Sequence, residues 1–484
     1  MAVTEPVVIM KFGGTSVADP GAIHRLTAIV AAARTRDAWR PVVVVSAMAG
    51  VTDALLALAS AAVAGDLEQV TRRVSELHRR HEDALHELVP TRGEVGDLLR
   101  QQLEELRAVL EALTVLREAP ARALDSIAAT GELLSSRIVA AALAEAGIPA
   151  TWVDPRRTLV TDGAHTTASP LPVPTREAVA REVLPRLDEG LVPVVGGYVG
   201  ATAAGVTTTL GRGGSDYSAA VIAAAIRDAR QEPAGLARAG HPRIEIQIWT
   251  DVDGMLTADP RIVRTPRLVP HLSFGEASEL AYFGAKVLHP STILPAVERD
   301  IPVRILNSLR PGSSGTLIAA VPPSSQYPVA AIACKRAITV IDVTSTRMLM
   351  AHGFLRRLFE VFERCATSVD VVTTSEVSVS VTVDDDRRLE AIVSALTEFA
   401  DVLVEREMAI LCVVGDRLRA DGRLAVRLLG SLEGFPLRMV SQAASRRNLT
   451  VVLHERDLAE AMNHLHQTWF GEPAPALAAM GAST

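Results

Sequence analysis

Aromatic residues are scarce in this chain of 484 residues: Phe, Trp and Tyr supply 4% against a hydrophobic fraction of 48%. Its cores must be built from Ala, Val and Leu, which suits helices packed on a buried parallel sheet and argues against an all-β architecture. Positive charge is not in excess either. Forty-nine Lys and Arg stand against 56 Asp and Glu, a net charge of −7, so no basic field is available to hold a nucleic-acid backbone or an anionic membrane. Cysteine is limited to Cys334, Cys365 and Cys412, odd in number, widely spaced and set among apolar neighbours. They read as buried free thiols in a reducing, cytoplasmic compartment rather than as disulfides or metal ligands. No basic segment precedes Lys11, and the long uncharged stretch Gly190 to Gly211 is rich in Gly and Thr and contains Pro193. Neither a signal peptide nor a membrane span is expected, and small-molecule chemistry is what remains.

At roughly 150 residues per domain the length accommodates about three compact units. The opening alternates buried Val-rich runs (Val7 to Met10, Pro41 to Ser46) with Ala-rich amphipathic stretches, and strands recur near Thr151, Val192 and Ile244. That rhythm predicts an α/β domain of about 310 residues with a mainly parallel sheet. Pro/Gly/Ser clusters from Pro311 to Gly315 and Pro322 to Ser325 then break the pattern. Residues 337 to 398 read strand, helix, strand, strand, helix, and residues 408 to 469 repeat that order, which predicts two small ferredoxin-like modules.

Four segments carry chemistry. Lys11-Phe12-Gly13-Gly14-Thr15-Ser16 follows a buried strand and precedes a helix, so glycine amides can approach an anion beside a lysine ammonium. It lacks the GxxxxGK[ST] order of a Walker loop. Gly211-Arg212-Gly213-Gly214-Ser215-Asp216 opens a second helix, with Arg212 able to clamp a carboxylate and Asp216 able to orient a cation. Thr250-Asp251-Val252-Asp253-Gly254 ends a strand with two carboxylates, an arrangement that needs a cation, a ribose or an amide to engage them. Phe283 to Pro290 adds Lys286 near a helix end. Two glycine-rich anion loops, two lysines, an arginine and clustered aspartates describe a phosphoryl-transfer site that works by positioning and electrostatics. A carboxylate acceptor would need no activated nucleophile from the protein.

KFGGTSV (Lys11 to Val17), VVVSAMAGVTD (Val43 to Asp53), TGELLSSR (Thr130 to Arg137), TLGRGGSDYSA (Thr209 to Ala219), WTDVDG (Trp249 to Gly254) and FGAKVLHP (Phe283 to Pro290) resemble, in this order, the aspartate kinases of the amino-acid kinase fold. The C-terminal part resembles that family's tandem ACT regulatory modules, most like the lysine-sensitive monofunctional type. The resemblance implies a catalytic domain over 1–315 and ACT modules over 316–402 and 403–484, with strand exchange between the modules allowed. It implies transfer of the γ-phosphoryl group of ATP to the β-carboxylate of L-aspartate. Lys11 and Asp216 are then catalytic, and Ser46, Thr52, Glu132, Arg212 and Ser215 bind substrate. Lys11, Gly13, Gly14, Thr250, Asp251, Arg261 and Lys286 hold ATP, whose phosphates carry Mg²⁺ without a dedicated protein metal site. An effector, L-lysine by resemblance, falls to Met348, Gly353, Phe354, Leu355, Ser368, Val369, Asp370, Thr374, Ser375 and Glu376, with Asp370 facing its ammonium. A homodimer or homotetramer through the ACT modules is also implied. The pattern departs from its relatives at Leu256, where an aromatic residue is usual. The competing expectations are an enzyme of the same fold with another acceptor, such as glutamate, N-acetylglutamate or carbamate, and a catalytically silent amino-acid sensor.

Overall fold

The computed structural model describes residues 6–91, 93–230, 244–284, 290–323, 328–345, 352–416, 418, 421–442 and 445–471. They fall into two compact units, one of Met1–Gly254 with His289–Pro322 and one of Met255–Leu288 with Pro323–Thr484.

The first unit runs β1 (Val7–Phe12), α1 (Pro20–Thr35), β2 (Arg40–Val45), α2 (Val51–Ala64), α3 (Leu67–Leu88), α4 (Gly93–Leu116), α5 (Ala121–Glu145), β3 (Ala150–Val153), β4 (Val160–Thr161), α6 (Pro172–Glu182), α7 (Leu184–Asp188), β5 (Val192–Gly196), β6 (Val199–Thr202), β7 (Thr207–Thr209), α8 (Gly214–Ala229) and β8 (Ile244–Thr250). β9 (His271–Ser273) and α9 (Phe274–Tyr282) belong to the second unit, after which α10 (Leu294–Val297), β10 (Val303–Asn307) and β11 (Thr316–Ala319) complete the first. Its main sheet has the order β3-β5-β2-β1-β8-β10-β11, parallel at every step except the antiparallel β10 and β11. All six residues of β1 are buried, as a central strand covered on both faces requires. Lys11, the one charge in that strand, stands opposite Val44 of β2 and Ile248 of β8, next to the carboxyl edge where ligand loops gather in such sheets.

Helices α2 to α5 bury their apolar stripes in one core with β1 and β2, joining Leu55, Leu58, Leu85, Leu99, Leu110 and Ile138 to Met10 and Phe12. Helix starts are written locally: Asp19 accepts the Ala22 amide with Pro20 at the first helical position of α1, and Asp66 accepts the Gln69 amide of α3. By length and composition α5 could cross a membrane, but 89% of its apolar window is buried inside the unit. It is the core helix of this unit, and the polar side chains it buries serve the site.

In the second unit the predicted order appears twice: β12 (Ala331–Thr344), α11 (Phe354–Arg364), β13 (Val372–Thr374), β14 (Ser378–Val383), α12 (Leu389–Thr397), then β15 (Asp401–Val414), α13 (Gly422–Gly430), β16 (Leu437–Ser441), β17 (Asn448–His454), α14 (Glu455–Phe470). One antiparallel sheet serves both repeats, in the order β13-β14-β12-β15-β17-β16. The leading strands begin at Ala331 and Asp401, earlier than the 337 and 408 read from the sequence. Each continues across the middle of the shared sheet. Both bend at a left-handed non-glycine residue, Ala337 (φ 55°) and Glu407 (φ 57°), and the ladder slips register between Lys335 and Ile338. Residues 331–335 therefore lie beside the half of β15 that pairs with β17, and 339–344 beside both β14 and the other half of β15. Ahead of the repeats, Thr257 accepts the Ile332 amide at 2.8 Å and its hydroxyl meets His466 Nε2 at 2.8 Å. Ala258 and Val263 pack with Leu411, Leu449 and Phe470, so the segment after β8 is part of this unit's core. Leu256 pairs there with Leu268 in an antiparallel bridge.

Candidate active site

Lys11 and Asp216 meet at the carboxyl edge of the first unit's sheet. Lys11 Nζ lies 2.7 Å from Asp216 Oδ1, a charge contact not aligned as a hydrogen bond, with both side chains mostly covered. Asp216 is in the first turn of α8, where the partial positive charge of a helix start favours a carboxylate. That start depends on Gly213, at φ 73°, where a Cβ would also come within 2.7 Å of Thr292 Cγ2. Below Lys11, the Gly13 amide donates to the Trp249 carbonyl at 3.1 Å, and Ser16 Oγ contacts Ser308 Oγ at 2.8 Å. The glycine turn is thereby pinned to the ends of β8 and β10.

Glu132 enters from α5. Gly131 makes this possible, because a Cβ there would stand 2.7 Å from Ala47 Cβ and push the helix off the loop that follows β2. The Glu132 carboxyl is buried, takes the Ala47 amide as a donor, and has its Oε2 without a hydrogen-bond partner among the described residues. Burial pushes its pKa up from 4.5 to about 8, against the opposing effect of that amide. Ser135 Oγ donates to the Ser46 carbonyl at 2.8 Å, and Ser46 N donates to Phe12 O at 3.1 Å, so the same loop is fastened to α5 and to β1.

These groups border one pocket of about 620 Å³, lined by Lys11, Gly14, Ser46, Thr52, Glu132, Arg212, Ser215 and Asp216 together with Met48, Asp53 and Tyr198. Arg212 is exposed on its wall and has no ion-pair partner among the described residues. The pocket thus offers a buried carboxyl with a bare oxygen, a free guanidinium and, between the two glycine loops, an ammonium. This complements a small zwitterion that carries one more anionic group.

Thr250 and Asp251 close the end of β8, outside the lining of that pocket, with Thr250 Oγ1 donating to Asp251 Oδ1 at 3.2 Å. Asp253, the second carboxylate of the pair, is already engaged: Asn307 Nδ2 donates to it at 2.8 Å and Arg310 pairs with it at 2.5 Å. Arg261 lies in the second unit, folded back on Asp259 at 2.6 Å. Lys286 lies outside the described residues.

In the second unit, Gly353 (φ 84°) caps α11, Phe354 packs edge-on to Phe399 and Leu355 is exposed. Ser368, Val369 and Asp370 precede β13, Thr374 ends it, and Ser375 and Glu376 lie in the turn into β14 with Ser375 and Ser378 hydroxyls 2.6 Å apart. Met348 lies outside the described residues. The Asp370 side chain is almost fully buried. Its Oδ1 accepts from Lys335 Nζ at 2.7 Å and Tyr282 Oη at 3.1 Å, and Oδ2 has no partner among the described residues. The sequence reading foresaw the carboxylate but not its internal cation. It also passed over Tyr198, Asn307 and Arg310, which stand outside the quoted motifs or do nothing recognisable until the strands are placed side by side.

The amino acid kinase family model matches residues 6–230 and 236–307, and an ACT domain model matches residues 411–469. The lysine-sensitive aspartokinase 3 of Escherichia coli is 36% identical over 96% of this chain and 99% of its own length. A chloroplastic aspartokinase 3 of Arabidopsis thaliana is 36% identical over 96% of this chain and 81% of its own. The solved structure of E. coli aspartokinase III in complex with lysine and aspartate superposes with a TM-score of 0.77 at 33% identity, covering 96% of this chain and 99% of that one. The same enzyme in complex with aspartate and ADP gives 0.75 at 34% identity, covering 96% and 100%.

Proposed function

The chain belongs to the amino acid kinase family as one of its aspartokinases, and we propose that the pocket between the two glycine loops takes L-aspartate with its β-carboxylate turned to the γ-phosphate of ATP. The observation that carries this orientation is the trio of Glu132, Arg212 and Lys11 on one pocket. Glu132 takes the α-ammonium on its bare oxygen, Arg212 the α-carboxylate, and Ser46, Thr52 and Ser215 line the remaining wall. A β-carboxylate oxygen attacks the γ-phosphorus, the bond to the bridging oxygen of ADP breaks, and 4-phospho-L-aspartate leaves. No proton moves in this step, so no general base is required. Lys11 draws the charge that spreads over the transferring group, the Gly13 and Gly14 amides assist, and Asp216 fixes the lysine in place.

Thr250, Asp251 and Lys286 are the nucleotide contacts in this reading, with Arg261 a further one. Mg²⁺ would arrive on the ATP phosphates, where it would neutralise charge. Catalysis falls to the first unit and regulation to the two repeats of the second, so the bounds 1–315, 316–402 and 403–484 shift where residues 255–288 join the second unit and β11 joins the first. The E. coli relative binds lysine, which supports L-lysine as effector at the residues around Asp370, in a cytoplasmic homodimer or homotetramer. The test is ATP- and Mg²⁺-dependent acyl hydroxamate formation from L-aspartate, with L-glutamate as control and L-lysine added. Aspartate-specific turnover that falls with lysine is expected, and turnover of glutamate in preference to aspartate would overturn the assignment of the pocket.

A further inference from the structure

Asp125 is fully buried near the start of α5, two turns before Glu132 on the same face of the helix. Its carboxylate collects three donors from a different part of the chain. Oδ1 accepts the Thr166 amide at 2.9 Å and the Thr209 hydroxyl at 2.5 Å, and Oδ2 lies 2.5 Å from His165 Nδ1. A buried carboxylate is costly unless so satisfied.

Two of the three contacts lead to the substrate pocket. Thr209 ends β7, and Leu210, Gly211 and Arg212 follow directly. The Thr209 carbonyl accepts the Ala168 amide at 2.9 Å, and Leu210 N donates to Tyr198 O at 2.9 Å, which ties the same strand to a pocket residue. Thr166 holds a left-handed backbone at φ 71°, unfavourable for a β-branched residue, with its amide turned to Asp125. Its carbonyl lies where a Cβ on Gly211 would be only 3.3 Å away, one residue before Arg212. The Tyr198 phenol is raised above its usual pKa first by burial, with the Glu132 and Asp125 charges adding and a Thr209 hydrogen bond opposing.

We infer that Asp125 is a positioning residue for the aspartate pocket, holding the loop that presents Arg212 in register with the helix that presents Glu132, and that His165 is its outer partner. The inference rests on the reading that those two residues grip the two α-substituents of aspartate. A zwitterion spans both, so a shift of the loop against the helix weakens aspartate while leaving the nucleotide contacts at β1 and β8 alone.

The experiment is steady-state kinetics on the full-length enzyme with both substrates varied, alongside thermal melting. Asp125→Ala should raise KM for aspartate roughly tenfold, with KM for ATP within about twofold. Asp125→Asn, whose amide oxygen still accepts from Thr166 and Thr209, should recover most of the loss. His165→Ala and Thr209→Val, at a partly exposed site and an isosteric one, should fold and raise aspartate KM about threefold each. They carry the test alone if Asp125→Ala does not fold. Aspartate KM unchanged in these variants, or both KM values rising together, would overturn the inference. A wild-type enzyme that does not turn over aspartate would instead overturn the pocket assignment, so the two failures are distinct.

Discussion

Both units hold a lysine ammonium 2.7 Å from an aspartate carboxylate, Lys11 on Asp216 in the first and Lys335 on Asp370 in the second. What surrounds the two pairs differs. Lys11 has one carboxylate and otherwise borders the pocket between the glycine loops. Lys335 has a second carboxylate, Asp384, at 3.2 Å, and the Tyr282 ring 4.6 Å below it. Burial works against its charge, yet Asp370 and Asp384 hold its pKa above the usual lysine value. A lysine with one partner and an open side can turn its charge on an incoming phosphoryl group. Lys335 also borders a pocket, of about 580 Å³, but its charge is shared by two carboxylates and a ring, so what it governs is the charge seen by anything approaching Asp370.

The sharpest way to break this comparison is to remove each ammonium. Lys11→Ala should lower kcat by about a thousandfold with a modest change in KM, the mark of an interaction made mainly in the transition state. Lys335→Ala should leave uninhibited kcat within about twofold, since its partners are already protein groups. Comparable kcat losses in both variants, measured by hydroxamate formation on protein shown folded by its melting temperature, would erase the distinction.

Next in size is the pH dependence of aspartate binding. Glu132 is neutral below about 8 in the free protein because burial disfavours its charge, whereas the substrate ammonium needs it ionised. The aspartate KM should therefore fall as pH rises from 6 toward 8, by up to about tenfold per unit, and flatten above. Stability runs the other way. A carboxyl raised from 4.5 to about 8 contributes fully below its unfolded value and loses that contribution as pH climbs through the folded one. Glu132→Gln should accordingly raise the aspartate KM, remove its slope with pH, and melt higher than the wild type by a margin that is larger at pH 8 than at pH 5. An unchanged slope in that variant would assign the titration elsewhere.

How far these regions could be read from the chain follows from where their information sits. Lys11, Arg212 and Asp216 are flanked by the glycines that make their turns, so motif and geometry coincide within a few residues. Glu132 was visible through its motif, but its bare oxygen depends on α5 lying against Ala47, which spacing alone does not encode. In the second unit the repeat was legible from its strand and helix periods. Its shared sheet was not, because Ala337 and Glu407 adopt left-handed backbones that neither residue type announces. Lys335 and Asp370 are joined only through the slipped ladder and the fold of β14, and Asp125 meets His165 across 40 positions of sequence. Side-chain pairs of this range belong to tertiary packing.

A finer cut at the comparison concerns what an effector meets at Asp370. Its Oδ2 is buried and unpartnered among the described residues, whereas Oδ1 is occupied by Lys335 and Tyr282. An incoming ammonium that takes Oδ2 is repelled by the neighbouring Lys335 charge. Lys335→Met should therefore lower the half-inhibiting lysine concentration by about threefold, a partly screened like-charge effect, and Asp370→Ala should abolish inhibition. A half-inhibiting concentration that rises in Lys335→Met would show that Lys335 recruits the effector rather than opposing it.

The smallest expected effect distinguishes the phenol from the ammonium as the anchor of that carboxylate. Tyr282→Phe removes one donor to Oδ1 but keeps the ring under Lys335, so the carboxylate retains its charged partner and its burial. A neutral hydrogen bond contributes about 1 kcal/mol, and here it is shared with a shorter, charged one. The melting temperature should drop by a degree or two at most, and the lysine inhibition curve should shift by less than about twofold. A larger shift would mean that Tyr282, not Lys335, sets the orientation of Asp370. The enclosed pair would then owe its geometry to α9 rather than to the bend in β12.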